Sequence, residues 1–154
     1  KNEVSKNSRD KILSFENALI DIADGVNIEG DGEHIVTDSK IAPIKHLFAD
    51  GIYIRQMDMV KDTIVVGAIH KHLHVWFLLT GHVTVATEDT TEDYIAPCYV
   101  VSTPGVKRVI LANEDSIFVN IHKNPSNTQD IDELEKEIVA LNYEEYEEYI
   151  NKNK

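Results

Sequence analysis

The chain has 154 residues, 42% of them hydrophobic, which is the size of one domain with one sizeable core. Its 27 Asp and Glu against 15 Lys and Arg give a formal net charge of −12. That balance excludes a duplex nucleic-acid binder, which must neutralise phosphates with clustered cations, and equally an anionic membrane surface as partner.

The apolar runs are short, far below the roughly 18 residues that span a bilayer, so no transmembrane segment is expected. The chain opens on Lys1 rather than Met, which leaves room for a start upstream, and no secretion leader is read at its beginning. Cys98 is the only cysteine. It has no partner for an intramolecular disulfide, fits a reducing cytoplasm, and reads as a small core hydrophobe in the apolar run 98–101.

Residues 8–23 read as an amphipathic helix. Ile12, Phe15, Leu19 and Ile22 recur at helical spacing, Lys11, Glu16 and Asp21 take the surface, Ser8 is a candidate N-cap and Gly25 a candidate stop. Residues 27–40 are polar and glycine-containing and read as a loop. Residues 44–122 are rich in short runs of Val, Ile, Thr and aromatics. Turn signals separate them at Asp50-Gly51, Lys61-Asp62, Thr80-Gly81, Asp89-Thr90, Ala96-Pro97, Pro104-Gly105 and Asn113-Glu114-Asp115. This is the pattern of an antiparallel sandwich or barrel. The runs 64–66 and 75–79 are apolar on both faces and are expected to be covered on both sides.

After the loop at residues 124–127, Asp130 is expected to cap a single helix running to about residue 150. Its stripe is Ile131, Leu134, Ile138 and Leu141. The acidic segment 143–149 (YEEYEEY) reads as a solvated helix face with amphipathic tyrosines, or else as a docking surface for another subunit. The three parts, 1–40, 41–124 and 125–154, are expected to form one domain.

Four of the seven histidines lie in the segment IHKHLHVWFLLTGH. His70, His72 and His74 alternate, so one continuous strand would point all three to the same face. Charged imidazoles side by side repel. Neutral ones offer lone pairs to one cation, and the apolar residues around them disfavour a merely solvated row, so a divalent transition metal ion is the expected cofactor. Asn113-Glu114 reads as a hairpin turn that would set Arg108 opposite roughly Asn120 and Val106 opposite His122. Phe118, Asn120 and His122 then share a face with Arg108, and His122 is expected to join His70 and His74 at the metal, with His72 ranked below them. His82 is expected on a strand surface. His34 and His46 lie in a loop and near a strand start, where cover over the site and contact with solvent are both open.

The same segment resembles the first motif of the cupin superfamily. Gly81 falls on the closing glycine, His74 on the glutamate position, His70 on the second histidine, Ala68 on the first histidine and Asp62 on the opening glycine. Thr103-Pro104-Gly105 matches the turn of the second motif and places Arg108 at its histidine position. Residues 41–141 also resemble a group of small cupin-like proteins encoded by tailed bacteriophages. The resemblance runs through Ile44-Lys45-His46 with Phe48, Gly51-Ile52-Tyr53 with Arg55 and Met57, and Gly67 with Ile69-His70-Lys71 and His74. It continues through Gly81, Ala86-Thr87-Glu88, Ala96-Pro97, Pro104-Gly105 with Lys107-Arg108, Glu114-Asp115 and Asn120-Ile121-His122.

The resemblance implies a mainly β, cupin-like double-stranded β-helix (a jelly-roll barrel) with terminal helices. It also implies a phage origin, in the host cytoplasm or the virion, and self-association as a homodimer or higher oligomer. Within it the leading expectation is a metal-binding protein that acts on or senses a small polar or anionic molecule. Arg108 would be the anion clamp, unless it serves an ordinary salt bridge, and Tyr53, Tyr94 or Tyr99 would be proton sources. The alternative is a virion or assembly protein that uses the barrel as a scaffold and contacts other virion proteins without catalysis. A third reading is metal-free acid/base chemistry by a His and a Tyr, as in cupin-like sugar epimerases. Whether the chain is an enzyme is left open at this point.

Overall fold

The computed structural model describes residues 6–22, 27–36 and 39–154. In chain order the elements are α1 (Lys6–Ile22), β1 (Asn27–Glu29), β2 (Ile44–Ala49), β3 (Ile52–Met59), β4 (Thr63–Val66), β5 (Ile69–His70), β6 (His74–Thr80) and β7 (His82–Ala86). They continue as β8 (Thr91–Ile95), β9 (Cys98–Ser102), β10 (Val109–Ala112), β11 (Ser116–Lys123), α2 (Ile131–Ile138), β12 (Val139–Ala140) and α3 (Tyr143–Lys152). One sheet has the order β1-β4-β10-β7-β8 and the other β2-β3-β11-β6-β9, with β12 and β5 forming a small third pair. All seven expected turns fall between or beside strands, and at three of them Gly51, Gly81 and Gly105 hold φ between 71° and 87°, which suits glycine. Among the described residues no helix is long and apolar enough to cross a membrane.

Period-two alternation sets what faces inward. The buried positions are Tyr53, Arg55, Met57 and Met59 on β3, His74, Trp76 and Leu78 on β6, and Phe118, Asn120 and His122 on β11. Register aligns them in layers. Phe118 lies opposite Met57 and Leu78, Asn120 opposite Arg55 and Trp76, and His122 opposite Tyr53. One end of the barrel is therefore apolar, with Trp76 and Phe118 stacked at 4.8 Å and Leu78, Val83, Val85 and Ile110 around them. The inward residues turn polar toward the other end.

Helix α2 closes that end. Its cap is as expected, with the Asp130 carboxylate accepting from the Asp132 and Glu133 N–H groups. Leu134 and Ile138 pack with Tyr53, Ala68 and Val139. Leu134 is fully buried, so Leu134→Ala is expected to cost about 3 kcal/mol, within the usual range for such truncations. Urea unfolding checks this; a loss under about 1 kcal/mol would mean that α2 is not docked in solution.

The structure corrects several expectations. The C-terminal segment is two helices, because Val139 and Ala140 leave α2 to pair with His70 and Ile69, and Asn142 caps a new helix through the Glu145 N–H. Leu141 consequently lies 40% exposed. Residues 27–29 are a strand parallel to β4 rather than loop. Strands β10 and β11 do not form a hairpin, since β10 pairs with β4 and β7 while β11 pairs with β3 and β6, so the chain crosses between sheets at residues 113–115. Helix α1 already includes Lys6, which places Ser8 within the helix rather than at its cap. Glu16 is buried, not on the surface, because Ile12 seats α1 on Val66 and Val109 and the buried Lys107 ammonium, 2.7 Å away, needs its carboxylate. Phe15 is 47% exposed, while the Leu19 and Ile22 side chains, Ala23 and Gly25 fall outside the described residues.

Of the two runs expected to be covered on both faces, residues 64–66 are, with Ile64 packed beside Ile12 of α1. Residues 75–79 are not. Val75 and Phe77 are half-buried and Leu79 is exposed, and beside them on β9 Tyr99 and Val101 are exposed as well. Cys98 is partly buried at the edge of the apolar cluster.

Candidate metal centre

Three histidines from three strands meet at the polar end of the barrel. His70 ends β5, where its backbone is fixed by pairing with Val139 and by the Gly105 N–H donating to its carbonyl at 2.8 Å. His74 opens β6 opposite Ser102 of β9. His122 lies near the end of β11 opposite Tyr53. Their ring centroids are 4.4 Å apart for His70 and His74, 4.6 Å for His74 and His122, and 5.3 Å for His70 and His122. One nitrogen from each lies within 4.8 Å of the others.

Burial and neighbouring positive charge keep all three rings neutral. His74 is pushed down to about 3, first by burial and then by Arg108. His70 and His122 are held well below the usual 6.5, again by burial first, with Arg108, Arg55 and the other rings adding to it. The tautomer of His74 follows from its partners. Arg108 has no acceptor, and its Nη2 stands 3.1 Å from His74 Nε2, so Nε2 must be the unprotonated nitrogen. Nδ1 then carries the proton and donates to the His72 carbonyl at 3.3 Å. A backbone carbonyl holding the far nitrogen is the usual way a metal-binding imidazole is oriented. His70 Nδ1 is buried with no hydrogen-bond partner.

The donor set fits a transition ion. Three neutral imidazole nitrogens suit zinc, copper, iron or nickel, and the absence of a carboxylate in the group disfavours calcium and magnesium. One feature opposes the fit: Arg108 shares the Nε2 lone pair of His74 and sets a positive charge beside any cation. Its guanidinium also donates to Ser102 Oγ at 2.6 Å and approaches Asn120 Oδ1 at 3.4 Å, so it has other partners when Nε2 is taken. Arg108 is placed by the Gly67 N–H, which donates to its carbonyl at 2.8 Å.

A cavity of about 50 Å³ adjoins the rings and is lined by Arg55, His70, Arg108, Asn120 and His122 among others. That is room for a few waters or a small ligand. Ala68 and Arg108 both line it. His34 reaches its rim, paired with Asp31 at 2.7 Å. No tyrosine is among the lining residues. Tyr53 bonds His46 at 2.8 Å, Tyr94 bonds Glu92 at 2.5 Å and Tyr99 is exposed, so none of the expected proton sources reaches the cavity.

The remaining histidines stand apart from the cluster. The chain bends at residues 71–72, and His72 turns outward, with Nε2 at 2.9 Å from the Glu137 carbonyl and Nδ1 at 3.4 Å from the Tyr149 hydroxyl. It is not part of the three-histidine group. His82 is on β7 in the other sheet, 3.7 Å from Asp93. Sequence reasoning missed Arg55, the second guanidinium of the cavity. Its signal was its parity with Tyr53, Met57 and Met59, which marks an inward arginine on an otherwise apolar strand face.

No protein-family model matches the chain, and no curated protein does. Solved structures do. A cupin superfamily protein from Desulfitobacterium hafniense aligns over 58% of this chain and 83% of its own, with a TM-score of 0.50 and 12% identity. An RmlC-like cupin from Shewanella frigidimarina aligns over 67% and 92%, with a TM-score of 0.50 and 13% identity. A Photorhabdus luminescens protein aligns over 65% and 88%, with a TM-score of 0.52 and 12% identity. At these identities the likeness establishes the fold alone: a cupin-like double-stranded β-helix carrying N-terminal and C-terminal helices.

Proposed function

We propose that this cupin-like protein binds a divalent transition metal ion through His70, His74 and His122 and takes a small polar or anionic ligand beside it. The observation that carries the reading is the meeting of three buried imidazoles, with one nitrogen of each within 4.8 Å of the others, at a cavity. A cation on three imidazoles supplies a Lewis acid that can polarise a carbonyl or lower the pKa of bound water. The residues of the chain do the rest. Neutral rings present lone pairs, Arg108 attracts negative charge, and α2 closes the end of the barrel. The phage-like residues along 41–141 support a viral origin.

Metal content by element-specific X-ray fluorescence tests this on protein purified without chelator. About one equivalent of a transition element is expected. Protein that carries none, and takes up none when offered zinc or cobalt, would remove the reading.

A second reading is favoured by a separate observation, the open apolar face at Leu79, Tyr99 and Val101. It supports an interaction protein that associates through this sheet, in which the histidines hold a structural ion or none. An ion that exchanges readily favours the first reading, and one sealed against exchange favours the second.

A further inference from the structure

Two buried guanidiniums share the cavity, and among the described residues neither has an ion-pair partner. Arg55 is 9% exposed and Arg108 is 5% exposed, and both guanidiniums line the same cavity. Arg55 comes from β3 and Arg108 from the segment leading into β10, so the two sheets each contribute one. Among the described residues no carboxylate lines the cavity and neither arginine belongs to a salt bridge. Arg55 Nη2 donates to the Val36 carbonyl at 3.0 Å, while its Nε is buried with no partner. Among the described residues Arg108 is bonded only to neutral groups, Ser102, His74 and Asn120. The acid that influences Arg108 through space, Glu88, is not among the residues lining the cavity: one carboxylate oxygen accepts from the Lys107 N–H at 2.7 Å and the Tyr143 hydroxyl at 2.6 Å, and the other is buried with no partner.

Buried charges in proteins are paired or coordinate an ion. Guanidinium is the group whose fork matches carboxylate and phosphate oxygens. Here two forks enter one small space, an N–H of one is unused, and a histidine-held cation would add further positive charge. We propose that Arg55 and Arg108 together form the binding site for a small oxyanion carrying two negative charges, such as a short dicarboxylate or a phosphate. This deepens the reading given above: it names the ligand class for the same cavity, and it rests on that reading only for the neighbouring cation. The cavity volume of about 50 Å³ limits the ligand to a few heavy atoms.

Calorimetric titration of the full chain with oxalate and with inorganic phosphate tests the proposal, first on metal-free protein and then with one equivalent of zinc. Metal-free wild type is expected to bind at least one of the two probes, and zinc is expected to tighten that binding. Arg55→Met and Arg108→Met are each expected to weaken binding tenfold or more. Arg55→Lys, which keeps the charge and loses the fork, serves if the methionine variant does not fold, and is expected to weaken binding at least threefold. Failure of both probes to bind wild type, or undiminished binding by the Arg55 variants, would overturn the proposal. Uptake of anion only when zinc is present, and undiminished by either arginine variant, would also overturn it while sustaining the metal. Anion binding by protein that takes up no metal would uphold the arginine site and remove the metal reading.

Discussion

Replacing His122 by alanine is expected to weaken zinc or cobalt binding by more than about 100-fold, and His70→Ala to do the same. Loss of a hydrogen bond that merely supports a ligand typically costs roughly 10–100-fold, and each of these changes removes one of three donors outright. His72→Ala is the contrasting variant. Its ring faces the Glu137 carbonyl and Tyr149 rather than the cluster, so metal affinity should stay within about threefold of wild type. Thermal unfolding gives an independent reading. Metal at about 100 times its dissociation constant stabilises the folded state by about 2.7 kcal/mol, which for a chain of this size raises Tm by roughly 5–10 °C. Wild type and His72→Ala should show that rise, and His70→Ala and His122→Ala should not. Equal metal loss in the His72 and His122 variants would place the ion elsewhere.

The second large effect is on acid stability of the metal-free protein. In the folded state His74 sits near 3, and His70 and His122 are also well below 6.5. An unfolded histidine titrates at about 6.5. Between those values the unfolded chain binds more protons than the folded one, so stability rises with pH across that window. The contribution of the neutral rings is complete above pH 6.5 and is lost progressively as pH falls from there toward each ring's own folded-state value, which for His74 is about 3. Each ring adds a slope of up to about 1.4 kcal/mol per pH unit, so three rings reach at most about 4 kcal/mol per unit. The net charge of −12 acts the other way, because acidification relieves self-repulsion among the carboxylates. The clean quantity is therefore a difference between proteins. Urea unfolding between pH 4 and pH 6 should give a steeper slope in wild type than in His122→Gln, by at most about 1.4 kcal/mol per unit. Identical slopes would mean that the His122 ring takes up its proton equally well folded and unfolded.

Much of the barrel was legible because its turns are chemically marked. Gly51, Gly81 and Gly105 stand where φ is positive, and the runs between them alternate with period two. What the sequence hid was partnership. The turn at residues 113–115 carries the same residues whether the flanking strands pair or cross to opposite sheets, so the expected β10–β11 hairpin had no local feature to contradict it. Arg108 and Asn120 still meet, at 3.4 Å, but across the barrel rather than along a ladder. Likewise the stripe Ile131, Leu134, Ile138 and Leu141 runs through Val139 and Ala140 as one helix would; pairing with β5 is what makes those two a strand. Tertiary pairing overrode local propensity there.

The histidine cluster was half legible for the same reason. Alternation placed His70, His72 and His74 on one face of an unbroken strand, and the bend at residues 71–72 breaks that strand, so the first and third converge while the second turns away. His122 was found through parity along β11, which survives the error in its partner strand. Arg55 was overlooked, although parity on β3 carries the same information about it.

Anomalous diffraction from crystals grown with cobalt, recorded on both sides of the cobalt edge, tests the central claim directly. One strong peak is expected, bounded by nitrogens of His70, His74 and His122 and about 2.1 Å from each. Three rings with ordinary density and no peak between them, in crystals where cobalt is bound elsewhere or not at all, would contradict it.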